Sequence, residues 1–188
     1  MRVITGIYKG RILKTVKDLS VRPATDRVKQ TLFDMLANRV EWEGARVLDL
    51  FAGSGSLGIE ALSRGATHVT FVESDPDALD FIEKNLETLG CVEATEILSM
   101  DAMQFLRNTR EHYDLIFADP PYEYKETTSI PTAVFTHNIL KKHGYLLIEH
   151  AAKLAFSSTP LYQAEPSKKF GRTIVTFFQH QRTQEQPS

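Results

Sequence analysis

Four consecutive residues, Asp119-Pro120-Pro121-Tyr122, have the clearest chemical potential in this sequence. They follow an apolar run over 113–118 that predicts a buried strand, and two prolines in a row end a strand because proline has no backbone N–H. Ligands of open α/β sheets bind beyond the carboxyl ends of the strands. A carboxylate, the Pro120 carbonyl and a phenol ring at such an end suit a flat polar ring that carries an amino group. The alternative is a plain strand-ending turn with a surface tyrosine.

A glycine-rich turn follows the first strand of the predicted sheet. Gly53, Gly55 and Gly58 match the pattern G-x-G-x-x-G, and Glu73 lies 20 residues after Gly53. This spacing is also the fingerprint of dinucleotide binding. Glycine would be needed whether the ligand is a dinucleotide or another cofactor, because the backbone must turn sharply and approach the ligand without a Cβ atom. The motif alone is weak evidence for one cofactor over another.

Acidic residues at the strand ends favour S-adenosylmethionine (SAM) over a dinucleotide. The Asp49 carboxylate, four residues before Gly53, would repel a pyrophosphate but can attract the cationic amino-acid end of SAM, directly or through water. Glu73 has two oxygens for two ribose hydroxyls, unless it is only a surface acid. Asp101 can accept a hydrogen bond from the adenine amino group, or it can simply cap the next helix. Because successive strand ends face one crevice, the ordered set predicts a SAM site.

Strand and helix patterns alternate along the chain, which predicts an α/β fold with a parallel sheet. A basic β-hairpin opens the sequence, and Thr25 is a plausible N-cap for the helix after it. The predicted strands cover 46–51, 68–73, 95–100, 113–118, 145–150, 161–169 and 172–179. The predicted helices cover 26–40, 56–63, 75–89, 102–109 and 130–141.

Length and composition indicate one globular domain. The 188 residues divide into a domain over 1–180, with a hairpin extension over 1–20, and a disordered tail over 181–188. Residues 1–30 carry eight lysines and arginines against two aspartates, whereas the remainder carries 14 against 22 acidic residues. This basic arm fits contact with phosphates or a solvated sheet edge equally well. One cysteine, scattered histidines and no long apolar run predict a cytoplasmic protein without metal or membrane span.

Several segments together resemble the bacterial 16S rRNA (guanine-N2)-methyltransferase family, the RsmD-like enzymes. These segments are residues 2–13, 22–33, 49–61, 117–122 and 170–173. The resemblance implies a Rossmann-like class I SAM methyltransferase: a seven-stranded, mostly parallel sheet with one antiparallel strand, helices on both faces and an N-terminal hairpin. It also implies methylation of one guanine N2 of 16S rRNA in the assembled or assembling 30S subunit. Two features depart from many relatives: Ser74 stands where they have asparagine, and the net charge is slightly acidic where they have a more basic surface.

Together with this resemblance, the residue types assign three groups of site residues. The catalytic group is Asp119, Pro120, Pro121 and Tyr122. The cofactor group is Arg22, Thr25, Asp49, Phe51, Ala52, Gly53, Ser54, Gly55, Leu57, Glu73, Ser74, Asp101, Ala102 and Asp119. The RNA-contacting group is Arg2, Lys9, Arg11, Lys29 and Tyr122. We expect the enzyme to act as a monomer, because its substrate is large and asymmetric.

Three other functions fit parts of this pattern. A DNA adenine or protein-glutamine methyltransferase would share the Asp-Pro-Pro-Tyr motif, although DNA enzymes usually add a target-recognition domain for which this chain has no room. An NAD-dependent oxidoreductase would need an acid–base group that the sequence does not offer. An RNA-binding assembly factor could keep a SAM pocket without using it, and a transfer assay separates it from an enzyme.

Overall fold

The computed structural model describes residues 1–15, 25–171 and 173–181. In this part of the chain, seven strands form one sheet in the order β3-β2-β1-β4-β5-β7-β6. Strand β7 runs antiparallel to both of its neighbours, and the other neighbouring pairs are parallel. The predicted mostly parallel sheet is therefore confirmed. The strands are β1 (Arg46–Leu50), β2 (His68–Glu73), β3 (Thr95–Ser99), β4 (Tyr113–Ala118), β5 (Leu140–Ala151), β6 (Tyr162–Phe170) and β7 (Thr173–His180).

Helices cover both faces of this sheet, as predicted. The α-helices are α1 (Thr25–Leu36), α2 (Ser56–Ser63), α3 (Pro76–Leu89), α4 (Ala102–Asn108) and α5 (Ile130–Thr136). Short 3-10 turns cover Val92–Ala94 and Thr127–Ser129. One apolar core joins α1, α2 and α3 to the sheet, and a second joins α4 and α5 to the opposite face. No helix among the described residues is both long and apolar enough to cross a membrane.

The two central strands bring the predicted site residues to one edge of the sheet. Strands β1 and β4 are buried on both faces because their apolar residues are nearly continuous. They pair in parallel, with Leu50 opposite Ala118. The glycine-rich turn after Leu50 and the residue Asp119 after Ala118 therefore leave the sheet side by side.

Two predicted helices extend too far. The first ends at Leu36 rather than near residue 40, and the Trp42 ring packs on Phe33 at 5.6 Å between centroids. The chain must turn back after Leu36 to make that contact. Thr25 is the first described residue of α1, and because its side chain lies outside the described atoms, its capping role stays a prediction.

The helix predicted over 130–141 ends at Thr136, and β5 already begins at Leu140. Asn138 adopts a left-handed conformation with φ 55°, which asparagine tolerates better than most residues. Directly after it, the Ile139 carbonyl accepts a hydrogen bond from the Tyr113 N–H at 2.9 Å. Pairing with β4 therefore replaces the last helical turn.

The N-terminal hairpin, here residues 1–15, is less regular than predicted. Its two arms share one isolated bridge between Arg2 and Ile12 rather than two continuous strands. The N–H groups of Ile4 and Thr5 instead donate to the carboxylate of Glu60 on α2, at 2.8 and 3.0 Å. The arm thus bonds to a helix where a partner strand was expected. The predicted extension of the hairpin to residue 20, and the tail after residue 181, fall outside the described residues.

Candidate active site

The glycine-rich turn has one packed side and one open side. Gly53 and Gly55 both adopt positive φ, at 57° and 76°. A Cβ atom on Gly55 would lie 3.3 Å from the Phe71 ring, whereas one on Gly53 would meet no atom within 4 Å. Phe51, just before them, also has a positive φ of 59°, a strained conformation that recurs at functional sites. The open side is where a ligand can approach the backbone.

Glu73 joins the end of β2 to this turn. Its Oε2 atom accepts the Gly53 N–H at 2.8 Å, and its Oε1 atom accepts the N–H groups of Ser74 and Asp75 at 2.7 and 2.9 Å. A carboxylate has about four lone-pair positions. Three backbone donors leave it room for about one strong hydrogen bond to a ligand, fewer than the two ribose hydroxyls that the sequence predicts for it.

Asp49 is buried beneath the same turn, with a side chain that is 2% exposed. Its Oδ2 atom accepts the Gly58 N–H at 2.8 Å. Burial is the main cause that raises the pKa of Asp49 to about 8; the negative charges of Asp119 and Glu73 contribute to the rise, and the hydrogen bond from Gly58 opposes it. These three carboxyl groups make the crevice acidic. A cationic ligand would relieve their repulsion, whereas a pyrophosphate would increase it.

A second cluster, consisting of Asp101, Tyr124 and Phe51, borders the turn. Asp101 Oδ1 accepts the Gln104 N–H at 2.9 Å, so this residue does cap α4, and its Oδ2 accepts the Tyr124 hydroxyl at 3.1 Å. The Tyr124 ring meets the Phe51 ring edge-on at 4.8 Å. Burial and the nearby Asp101 raise the pKa of Tyr124 to about 12, which keeps its hydroxyl a donor. No sequence pattern singled out Tyr124.

The Asp119–Tyr122 corner is more open than the glycine-rich turn. Asp119 is exposed at the end of β4, and Pro120 is buried beneath it. Tyr122 is 46% exposed, and its hydroxyl lies 2.8 Å from the hydroxyl of Thr173, the first residue of β7. The Pro121 carbonyl accepts the Tyr124 N–H at 2.8 Å and closes the turn. The antiparallel strand therefore fixes the orientation of an otherwise exposed ring.

The basic residues predicted to meet RNA separate into two groups. Arg2, Lys9 and Arg11 are exposed on the N-terminal hairpin. Arg2 and Lys9 also line a groove of about 400 Å³ between the hairpin and α1, together with Arg27, a residue outside the predicted RNA-contacting group. Acidic Asp26 lines the same groove and lies 3.5 Å from Arg2.

Lys29 cannot serve as a phosphate contact, so its assignment to the RNA group is wrong. Its side chain is 3% exposed, and its Nζ atom donates to the Arg2 carbonyl at 2.8 Å and to the Ser56 hydroxyl at 3.1 Å. Glu60 lies 3.6 Å away as its counter-ion. The sequence showed a lysine on a helix, but only the packing of the hairpin over α1 and α2 buries it.

Five other predicted cofactor residues lie on or next to the same strand ends. Ala52, Ser54 and Leu57 belong to the glycine-rich turn or the first turn of α2, Ser74 follows Glu73, and buried Ala102 opens α4. Arg22 lies outside the described residues.

The chain matches the protein family described as Conserved hypothetical protein 95 over residues 1–179. It is 38% identical over 152 residues to ribosomal RNA small subunit methyltransferase D of Haemophilus influenzae, covering 79% of this chain and 78% of that protein. It is 39% identical over 162 residues to a Bacillus subtilis protein provisionally named as the rRNA methyltransferase YlbH, covering 85% and 87%. An Escherichia coli structure provisionally named as the methyltransferase yhhF has a TM-score of 0.84 and 30% identity, covering 96% and 97%.

Proposed function

This chain belongs to the family described as Conserved hypothetical protein 95, which includes RsmD-like methyltransferases with a Rossmann-like fold, and we propose that it transfers a methyl group from SAM to the exocyclic N2 of one guanine in 16S rRNA. One observation carries the proposal. The Asp119–Tyr122 corner leaves the sheet beside a glycine-rich turn with an acidic crevice, at the paired ends of β1 and β4. A positively charged methyl donor and an amino group on a flat ring would meet at this edge.

The acidic side of the crevice suits the cofactor. SAM supplies a methyl group on a positively charged sulfur. Asp49 would lose its proton when the charged sulfur and amino group of the cofactor bind nearby, because a nearby cation lowers the pKa of a carboxyl group. Glu73 would hold one ribose hydroxyl while it fixes the Gly53 backbone. The open side of Gly53 leaves space for a ligand to approach the turn.

The Asp119–Tyr122 corner would hold and polarise the base. The lone pair of guanine N2 is delocalised into the ring, so this nitrogen is a poor nucleophile. Asp119 and the Pro120 carbonyl would accept hydrogen bonds from its two N–H groups, which favours a tetrahedral nitrogen with its lone pair aimed at the methyl group. Tyr122 would stack on the unstacked base, a contact that contributes about 1–3 kcal/mol in single-strand binding. After transfer, the surplus proton leaves to Asp119 or to water.

We further propose that the substrate is the 30S subunit or an assembly intermediate of it. The exposed Arg2, Lys9 and Arg27 side chains around the groove are suited to rRNA phosphates that flank the target. The rest of the chain is acidic, so bare RNA offers few other attractive contacts. If several phosphates are neutralised, binding will weaken steeply with rising salt.

Methyl transfer from radiolabelled SAM tests the proposal on three substrates side by side: 30S subunits lacking the modification, naked 16S rRNA and genomic DNA. We expect label on the 30S subunit, recovered as N2-methylguanosine after nuclease digestion. Label on naked RNA alone would overturn the particle substrate but keep the chemistry. Label on DNA, or tight SAM binding without transfer to any RNA, would refute the proposed reaction.

A further inference from the structure

One buried amide joins the N-terminal hairpin to the glycine-rich turn. Asn85 lies on α3 and is 2% exposed. Its Nδ2 atom donates to the Ser54 carbonyl at 3.0 Å and to the Lys14 carbonyl at 2.9 Å, and its Oδ1 atom accepts the Lys14 N–H at 2.8 Å. Ser54 stands between the two turn glycines, and Lys14 belongs to the second arm of the hairpin. The three hydrogen bonds can be made together only when both segments are in place.

Lys29 makes a second connection between the same two segments. Its ammonium donates to the carbonyl of Arg2 on the first arm of the hairpin and to the hydroxyl of Ser56, the residue after Gly55. Glu60, on the same helix as Ser56, holds the first arm through the N–H groups of Ile4 and Thr5. Each arm of the hairpin is therefore linked by hydrogen bonds, through one buried side chain, to the glycine-rich turn or the residue that follows it.

These connections cannot adjust freely. A shift of the turn away from Asn85 would leave a buried N–H donor of this amide without its partner, the Ser54 carbonyl, which is more costly than a lost bond at the surface. Gly6 adds a further restraint, because a Cβ atom at that position would lie 1.6 Å from the backbone oxygen of Ser63 on α2. The hairpin therefore fits against α2 in one close position.

We propose that Asn85, supported by Lys29, is a positioning residue that couples the N-terminal hairpin to the glycine-rich turn, so that cofactor binding orders the hairpin and RNA on the hairpin strengthens cofactor binding. The RNA half of this coupling rests on the proposed function. The cofactor half rests on these hydrogen bonds. A coupling between two sites is reciprocal, so one perturbation must appear in both directions.

The variant Asn85→Asp tests the connection with little change in shape. It keeps an acceptor for the Lys14 N–H but places a second oxygen against the carbonyls of Ser54 and Lys14. The matched control is Leu86→Ala, one residue further along α3. Leu86 is fully buried in the apolar core. Its truncation destabilises the same helix without removing a side-chain hydrogen bond to either segment.

Hydrogen–deuterium exchange with and without S-adenosylhomocysteine supplies the readout. In the unsubstituted protein we expect this ligand to slow exchange in peptides covering 51–60 and 1–15. In Asn85→Asp the slowing should persist over 51–60 but fall at least about fivefold over 1–15, whereas Leu86→Ala should keep both. The proposal is wrong if the ligand slows exchange over 1–15 as much in Asn85→Asp as in the unsubstituted protein. It is also wrong if the ligand does not slow exchange over 1–15 in the unsubstituted protein.

Ser56→Ala provides a milder variant should Asn85→Asp fold poorly. It removes one hydrogen bond of Lys29 and leaves the ion pair with Glu60 in place, so we expect a partial loss of hairpin protection. If the ligand still protects the hairpin fully in Ser56→Ala and also in a separate Asn85→Ala variant, the proposal is wrong. The RNA half is measured as the ratio of SAM dissociation constants with and without 30S subunits, which should move toward one in Asn85→Asp but not in Leu86→Ala.

These outcomes separate the coupling from the proposed function. If the unsubstituted protein shows ligand-induced protection of the hairpin but methylates no RNA, the proposed reaction is wrong and the cofactor half of the coupling stands. If it methylates 30S subunits while exchange in the hairpin is the same with and without the ligand, the reaction stands and the coupling is wrong.

Discussion

Two aspartates at the ends of neighbouring central strands occupy opposite environments. Asp49 lies within β1, is 2% exposed and bonds to the Gly58 backbone, whereas Asp119 follows β4 and is exposed. Asp49 pairs with Phe117, so Asp119 stands two residues further along the shared strand direction. The inner carboxyl group can face a small ligand within a fixed turn. The outer one can reach a base delivered by a much larger molecule.

Removal of the outer carboxylate should have the largest effect. In Asp119→Ala we expect methyl transfer to fall by about 10³-fold or more, because the group that polarises the acceptor nitrogen is lost during the chemical step. The dissociation constant of SAM should change less than about threefold. Single-turnover transfer and calorimetric SAM binding measure the two quantities. Transfer near the unsubstituted rate would refute the role of Asp119.

Removal of the inner charge should reverse that pattern. In Asp49→Asn we expect SAM to bind about 10–100-fold more weakly, because a neutral amide cannot offset the charge of the cofactor. The amide oxygen can still accept the Gly58 N–H, so the turn should keep its shape. Calorimetric titration with SAM measures the loss. If Asp49→Asn binds SAM as tightly as the unsubstituted protein, the distinction between the two aspartates disappears.

The same substitution should stabilise the cofactor-free protein in a pH-dependent way. The pKa of Asp49 is about 8 in the folded protein, against an ordinary value of 3.8. Between these values the unfolded chain releases a proton that the folded protein keeps, so this group lowers stability progressively as pH rises. The melting temperature of Asp49→Asn should therefore exceed that of the unsubstituted protein by several degrees at pH 8 and by much less at pH 5. Equal differences at both pH values would show that the burial of Asp49 carries no such cost.

The smallest effect should come from the contact that orients the Tyr122 ring. In Thr173→Val the tyrosine loses its hydroxyl partner at 2.8 Å but keeps its ring for stacking. We expect transfer to fall only about two- to fivefold, with SAM binding unchanged. Tyr122→Phe should have a similar effect, and the double substitution should add little, because both changes remove the same contact. Fully additive losses would indicate that the two residues act separately.

Local patterns were sufficient for the central strands β1 and β4 and insufficient at the end of α5 and in the N-terminal hairpin. The glycine spacing and the apolar runs of β1 and β4 predicted both the crevice and its neighbours. The helix over 130–141 was overextended because its apolar pattern did not reveal the turn at Asn138. The first hairpin was predicted as two strands because the binding of its N–H groups to Glu60 depends on a residue 55 or 56 positions away.

The sequence by itself determined the order of strands and helices, the glycine-rich turn and the identity of the acidic and Asp-Pro-Pro-Tyr strand ends. These features depend on residue type and short spacing, which act over a few residues. Tertiary structure decided which charges are buried and what each side chain bonds to. Lys29 became an internal ion-pair partner, and Asn85 came to link two segments. Such roles arise only when distant parts of the chain exclude water together, since burial and long-range hydrogen bonding are properties of the packed molecule.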